Sequence, residues 1–270
     1  MTTDALGAGT RLPQTREIGF DDPWNWLSAG WRDLLRSPGV SLAYGALYAI
    51  VGCVLTYVLI TLDAWYVILP LASGFLLLGP LLAVGLYEAS RRHAAGEPVT
   101  LGVALDAWRR NKAPLFTLGV LLMSAVLLWV YAAMFLFAMF YGRIGISVDA
   151  FFAETFFSFT TIWFLIAGVA IGAVIATVVF SMSAVAFPMI VDRRDVSGIV
   201  AVLTSVKAVR QNWWPMMLWA GLIVVFSLAG LVLIYAGLIV TLPLIGHASY
   251  HAYRALVMPE GPGAGSARVL

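Results

Sequence analysis

The sequence predicts an all-α polytopic membrane protein. It would hold six transmembrane helices as three pseudo-repeated hairpins, each preceded by a cytoplasmic amphipathic helix. Composition is the first observation behind this. The chain of 270 residues is 61% hydrophobic and only 11% charged, with a mean hydropathy of +0.93. A soluble domain carries roughly a quarter charged residues. This much apolar surface cannot be hidden inside one aqueous fold, so lipid must act as part of the solvent. The second observation is a series of uncharged apolar runs, most of them about 20 residues or longer, enough for a helix to cross ~30 Å of hydrocarbon. The third is an amphipathic phrase that recurs before alternate runs. A net charge of +2 gives nucleic-acid binding no support.

Residues 1–22 are mixed and polar, without the apolar core of a cleavable signal, and read as a flexible cytoplasmic tail. Asp22-Pro23-Trp24 opens the fold, since Asp suits a helix N-cap and Pro the first helical position. The membrane domain runs over 23–257, with spans expected at about 40–62, 66–87, 114–141, 159–191, 215–233 and 236–256. The first two hinge at Asp63-Ala64-Trp65. The last two divide Pro215–Leu256, which at 1.5 Å per residue would make ~63 Å of helix and must fold back between Gly230 and Gly237. Residues 258–270 form a second flexible cytoplasmic tail. Cys53 lies in an apolar run without a disulfide partner and reads as a packing residue.

Orientation follows from the cations. Of the 16 Lys and Arg residues, 15 fall on one side of a six-span arrangement, and Arg143 alone falls on the other. The positive-inside rule makes that side cytoplasmic and places both termini there. The far side carries an aromatic loop, Asp149–Trp163, whose phenylalanines suit an interfacial belt.

Before the first span, Trp24, Leu27, Trp31, Leu34 and Leu35 recur at helical spacing, with Arg32, Asp33 and Arg36 on the other face. Leu101, Leu105 and Trp108 repeat this after Thr100, and Ile199, Val202, Leu203, Val206 and Trp213 repeat it after Ser197. Such helices lie in the membrane interface or pack under the bundle. AWRRNKAP (107–114) and AVRQNWWP (208–215) share Ala, Arg, Asn and Pro in register, and GWRDLLRSP (30–38) is the same phrase with one extra residue. PLLAVGLYEASR (80–91) aligns with PLIGHASYHAYR (243–254), and FPMIVDRR (187–194) is a shorter version. These matches predict an internal duplication. Pro80, Pro188 and Pro243 would give the even-numbered spans a common kink, each freeing one backbone carbonyl. Gly168, Gly172 and Ala176, four residues apart, suit close contact between helices.

The opening WLSAGWRDLLRSPGVSLAYGALYAIVG and the closing GLIVTLPLIGHASYHAYR resemble the two ends of a proteobacterial family of integral membrane proteins, the domain-of-unknown-function family numbered 2189. The resemblance spans roughly Trp24–Arg254. It implies a six-span protein of a bacterial inner membrane and carries no biochemistry onto particular residues.

No charged residue lies in the middle of a span, where ion-coupled pumps keep one, and soluble-enzyme motifs are absent. What remains is a polar cluster at the cytoplasmic ends of the even spans: Glu88, Arg91, Asp192, Arg193, His247, His251 and Arg254. Counted from the aligned prolines, Glu88 shares a position with His251, Asp192 with His247, and Arg91 with Arg254. The first reading is a structural network in which these histidines partner those acids. The second is a site for an ion or small molecule. The third is a metal site, with His247 and His251 one helical turn apart and joined by Glu88 or Asp192. The expected function is an accessory or scaffold protein of the inner membrane, with no catalytic activity and no cofactor. Its partners would be the lipid bilayer and other membrane proteins or a second copy. The alternative is a small-molecule or lipid permease using the kinked helices, and a metal-binding membrane enzyme is the lesser alternative.

Overall fold

In hydrocarbon every backbone polar group needs an internal partner, so apolar runs close their hydrogen bonds as helices. A computed structural model of the chain describes residues 12–64, 68–141, 159–193 and 195–259. Those residues are all-helical apart from one isolated bridge. We number the helices α1 Asp22–Arg36, α2 Pro38–Thr61, α3 Ile68–Leu82, α4 Val84–Ala95, α5 Leu101–Asp106 and α6 Lys112–Tyr141. They continue with α7 Phe159–Ser183, α8 Ala186–Asp192, α9 Gly198–Gln211, α10 Trp213–Val232 and α11 Leu238–Leu256. Thr100 and Ser197 cap α5 and α9 through their side-chain oxygens. Trp65, Arg194, most of the far-side loop and both chain ends lie outside the described residues.

Among the described residues five stretches are long and apolar enough to cross a membrane: Pro38–Thr61, Pro70–Ala95, Lys112–Tyr141, Phe159–Asp192 and Trp213–Val232. The chain is a multi-pass membrane protein. The sixth expected span falls on helix α11, which is not among the five, because His247, His251 and Arg254 dilute its second half. That half is not lipid-facing. Gly246, His247, Ala248, Tyr250, Ala252 and Tyr253 are buried, and α11 packs against α1, α2, α4 and α10.

The chain folds back at Leu233–Gly237, inside the expected interval. Ile234 and Tyr235 take positive φ there (51° and 64°). The Tyr235 hydroxyl, 2.7 Å from Thr56 Oγ1, ties this turn to α2. Its ring lies so close to Gly52 that an added Cβ would stand 2.6 Å from it.

Two sequence expectations need correction. In α1 the buried side is Pro23, Trp26, Gly30, Asp33 and Leu34, whereas Trp24, Trp31 and Leu35 are exposed. Asp33, expected outside, therefore faces in. The N-terminal segment is not loose throughout either. Thr15 pairs with Val257 across an antiparallel bridge, Arg16 N–H donates to Leu256 O at 2.8 Å, and Asn212 clasps Ile18 N–H and Arg16 O at 2.9 Å each. Beyond α11, Met258 N–H donates to Gln14 O at 3.0 Å.

Candidate functional site

A layer of fully buried side chains lies where α4, α8 and the second half of α11 meet. Val84, Leu86, Phe187, Ile190, Val191 and Ala248 have no solvent exposure. Just before α4 and α8 the even spans are broken, and each break is filled from a neighbouring helix. Between α3 and α4, the Tyr44 hydroxyl of α2 donates to Leu82 O (2.8 Å) and accepts from Gly85 N–H (3.3 Å). Between α7 and α8, Ser205 Oγ of α9 donates to Ser181 O (2.8 Å) and accepts from Val185 N–H (3.1 Å). Both hydroxyls stand in for a missing helical hydrogen bond.

The three prolines therefore do not produce a common kink. Pro188 lies past its break, at the position that deprives Ala184 O of a donor. Pro80 precedes its break. Pro243 sits inside the unbroken α11. The carbonyl Pro243 frees, that of Ile239, meets Gly45 of α2, where an added Cβ would stand 2.5 Å from the oxygen.

The predicted polar residues gather in separate nodes with different partners. Glu88, its side chain 2% exposed, accepts from Arg91 (2.8 and 2.9 Å), Arg92 (2.9 Å) and Arg110 (3.1 Å). Arg110 also donates to Val191 O at 3.2 Å, joining this node to α8. Asp192 accepts from Tyr250 (3.2 Å) and Tyr253 (2.8 Å), with Arg254 at 3.7 Å. Arg193 donates to the Tyr253 hydroxyl (3.1 Å) and Met258 O (2.6 Å).

The histidines pair with neither Glu88 nor Asp192. His251 Nε2 lies 2.8 Å from Asp33 Oδ2, and Ser90 Oγ donates to the same oxygen at 2.7 Å. His93 Nδ1 stands 3.4 Å from Asp33 Oδ1. His247, fully buried, has Ser90 Oγ 2.8 Å from Nδ1 and Ser41 Oγ 3.0 Å from Nε2. All three histidines of the chain thus gather around one carboxylate. Burial alone would raise the Asp33 pKa. Hydrogen bonds from His251 and Ser90, with the nearby imidazoles, outweigh burial and hold it below the ordinary 3.8. Asp33, Ser41, Ser90 and His93 were not singled out as site residues from sequence. The available signal was a charge seven residues after Trp26 and three after Gly30, on the face those residues share.

The third reading, a metal site at His247 and His251, gains no support from this geometry. Both nitrogens of His247 are occupied by hydroxyls, and Glu88 and Asp192 belong to other nodes. Among the described residues no three His, Cys, Asp or Glu side chains are grouped to hold a metal ion.

Toward the other end of the bundle the helices splay around a cavity of about 700 Å³. Its walls come from α3, α4, α6, α7, α10 and α11. They are almost entirely apolar, with Phe75, Leu136, Phe164, Val179, Phe180 and Ile223 among them. Wall residues of the second span run from Pro70 to Tyr87, so the cavity extends for about 25 Å at 1.5 Å per residue. Ala83 and Ser183 line it, so it reaches both helix breaks. Gly79, Gly168 and Gly221 line it from three helices, and a Cβ at any of them would meet nothing within 4 Å. The small-residue edge of α7 therefore serves a void at Gly168 and takes the ring of Trp129 at Gly172, instead of seating a helix along its length. Tyr87, Ser227 and Ser249 also line the cavity, and their hydroxyls find no hydrogen-bond partner among the described residues.

Residues 68–192 match the family described as predicted integral membrane protein (DUF2189). Over this segment the chain is similar to that family. The matched segment runs from the start of α3 to the end of α8. It contains the breaks at Ala83 and Ala184–Val185, the Glu88 node and much of the cavity wall. The two end phrases that carried the resemblance in the sequence fall outside it, as do Asp33, His247 and His251. No curated protein and no solved structure matches the chain.

Proposed function

We propose that this protein is a six-span membrane protein that binds an apolar, chain-like molecule, a lipid or a lipid-like compound, between its helices. The single observation that carries this is the 700 Å³ cavity hollowed by Gly79, Gly168 and Gly221. Interiors are normally close-packed, whereas ligand pockets are concave, mostly apolar and roughly 300–1,000 Å³. Unpartnered hydroxyls from Tyr87, Ser227 and Ser249 offer a neutral hydrogen-bonding end to such a guest. This favours the lipid-permease alternative over the scaffold reading, with binding as its first step.

The six-span count is supported by the pairing of residues 14–16 with 256–258. The two segments lie side by side, which favours an even number of crossings and hence an α11 that crosses with the five apolar spans. The cation bias supports a cytoplasmic placement of the side that carries them, and the resemblance carried by the two end phrases supports a bacterial inner membrane. There α1, α5 and α9 turn bulky side chains outward at headgroup level: Trp24, Trp31, Leu105, Ile199 and Leu203.

Native mass spectrometry of the purified protein, with lipid identification, tests the binding. The wild type is expected to retain a bound apolar molecule, and Gly168→Leu with Gly221→Leu is expected to lose it while remaining folded. Equal retention by the filled variant would overturn the proposal.

A further inference from the structure

Asp33, on α1, receives hydrogen bonds from two other helices, and the donors form a directed chain. Ser90 gives its proton to Asp33, so its oxygen must accept from His247 Nδ1–H, and His247 Nε2 then accepts from Ser41. The network thereby assigns neutral, Nδ1-protonated His247. His251 Nε2–H donates to Asp33 from α11, and His93 Nδ1, without a hydrogen-bond partner, faces the second carboxylate oxygen from α4. The charged and titratable groups facing this carboxylate are His93, His247 and His251, with Arg36 alongside His93. One negative charge therefore stands against three imidazoles and a guanidinium.

We propose that Asp33 and the three histidines form a proton-operated clamp, which holds α1 on α4 and α11 at neutral pH and loosens it on acidification. One added proton on the imidazole cluster is matched by the carboxylate. A second and third are not: they leave the buried site net positive, and a proton on His247 Nε2 breaks the chain by confronting the Ser41 hydroxyl. An imidazole released into water takes its proton at about pH 6.5, whereas one held in this buried cluster resists a further positive charge, so docking begins to weaken as the pH falls below about 6.5. The loosening does not come from Asp33. With its pKa lowered, Asp33 contributes stability above its unfolded pKa and loses it only as pH falls through the lower folded one, below 3.8. Elsewhere on α1, Arg36 donates to His93 O at 3.5 Å and Trp26 stands edge-on to Trp219 at 5.5 Å, and neither contact responds to pH in this range.

The test uses the full chain in nanodiscs, with Cys53→Ser and spin labels at Asn25→Cys on α1 and Arg210→Cys on α9, both exposed positions. Electron–electron distance measurements are expected to give one narrow distribution at about pH 7.5. At about pH 5 the displaced fraction should rise at least about threefold. His247→Gln is expected to move the midpoint to lower pH, and the triple change His93→Gln, His247→Gln, His251→Gln to remove most of the response. If the triple variant does not dock at neutral pH, His247→Gln alone decides. A wild-type distribution that ignores pH, or an acid response unaltered by His247→Gln, overturns the clamp.

Discussion

At the scale of single residues, two hydroxyls replace backbone bonds that the even spans lack. Removing the Ser205 hydroxyl leaves Val185 N–H and Ser181 O unpaired in a buried setting. Ser205→Ala is therefore expected to lower stability by about 1–3 kcal/mol, the cost of unsatisfied buried groups. Tyr44→Phe should cost a similar amount, through Leu82 O and Gly85 N–H. Thermal denaturation in detergent would show both. An unchanged midpoint in either variant would mean that the helix re-closes without its filler. Nothing in the sequence pattern announces this role, because a Tyr and a Ser in apolar helices look the same whether they face lipid, a cavity or a backbone gap. Asp33 was misread for a related reason. Between Arg32 and Arg36 it looks like part of a solvated face, and only its partners on α4 and α11, 57 and 218 residues away, draw it inward.

Among elements, the helices beside the spans reverse the rule of soluble proteins. α9 buries Ala201, Thr204, Ser205, Ala208 and Val209 while Ile199 and Leu203 point out. α1 buries Gly30 against Ala248, where an added Cβ would stand 2.7 Å from the backbone nitrogen. With lipid outside, large apolar side chains need no burial, and small residues permit the close contacts. Helices occur where hydrophobic periodicity places them, but the periodicity misjudges which side packs. Gly30→Val is accordingly expected to force α1 off α11 at a cost of about 1–3 kcal/mol. Faster hydrogen–deuterium exchange over residues 22–36 would report this, whereas Gly102→Val, whose Cβ meets nothing, should leave exchange unaltered. Equal exchange in both variants would show that the Gly30 contact does not fix α1.

For the whole molecule, the all-helical, multi-pass class and its apolar helices could be read from charge-free runs, since lipid imposes length and apolarity directly on the chain. The cavity could not be read, because a void depends on how far helices splay, and glycine spacing fits a tight contact as well as an empty one. The number of crossings falls between these cases. Hydropathy supplies five spans, and an odd number would put the termini on opposite sides. Yet Thr15 and Val257 are neighbours, and the nodes around Asp33, Glu88 and Asp192 all draw on the cation-rich segments at that end. The six-span arrangement proposed above reconciles the two, with α11 crossing and its polar half shielded by α1, α2 and α4. Reporter fusions after residues 11, 150 and 259 test this. The first and last are expected to report the cytoplasm and the middle one the opposite side. A reporter after 259 on the opposite side from that after 11 would require an odd number of crossings and dissolve the terminal pairing.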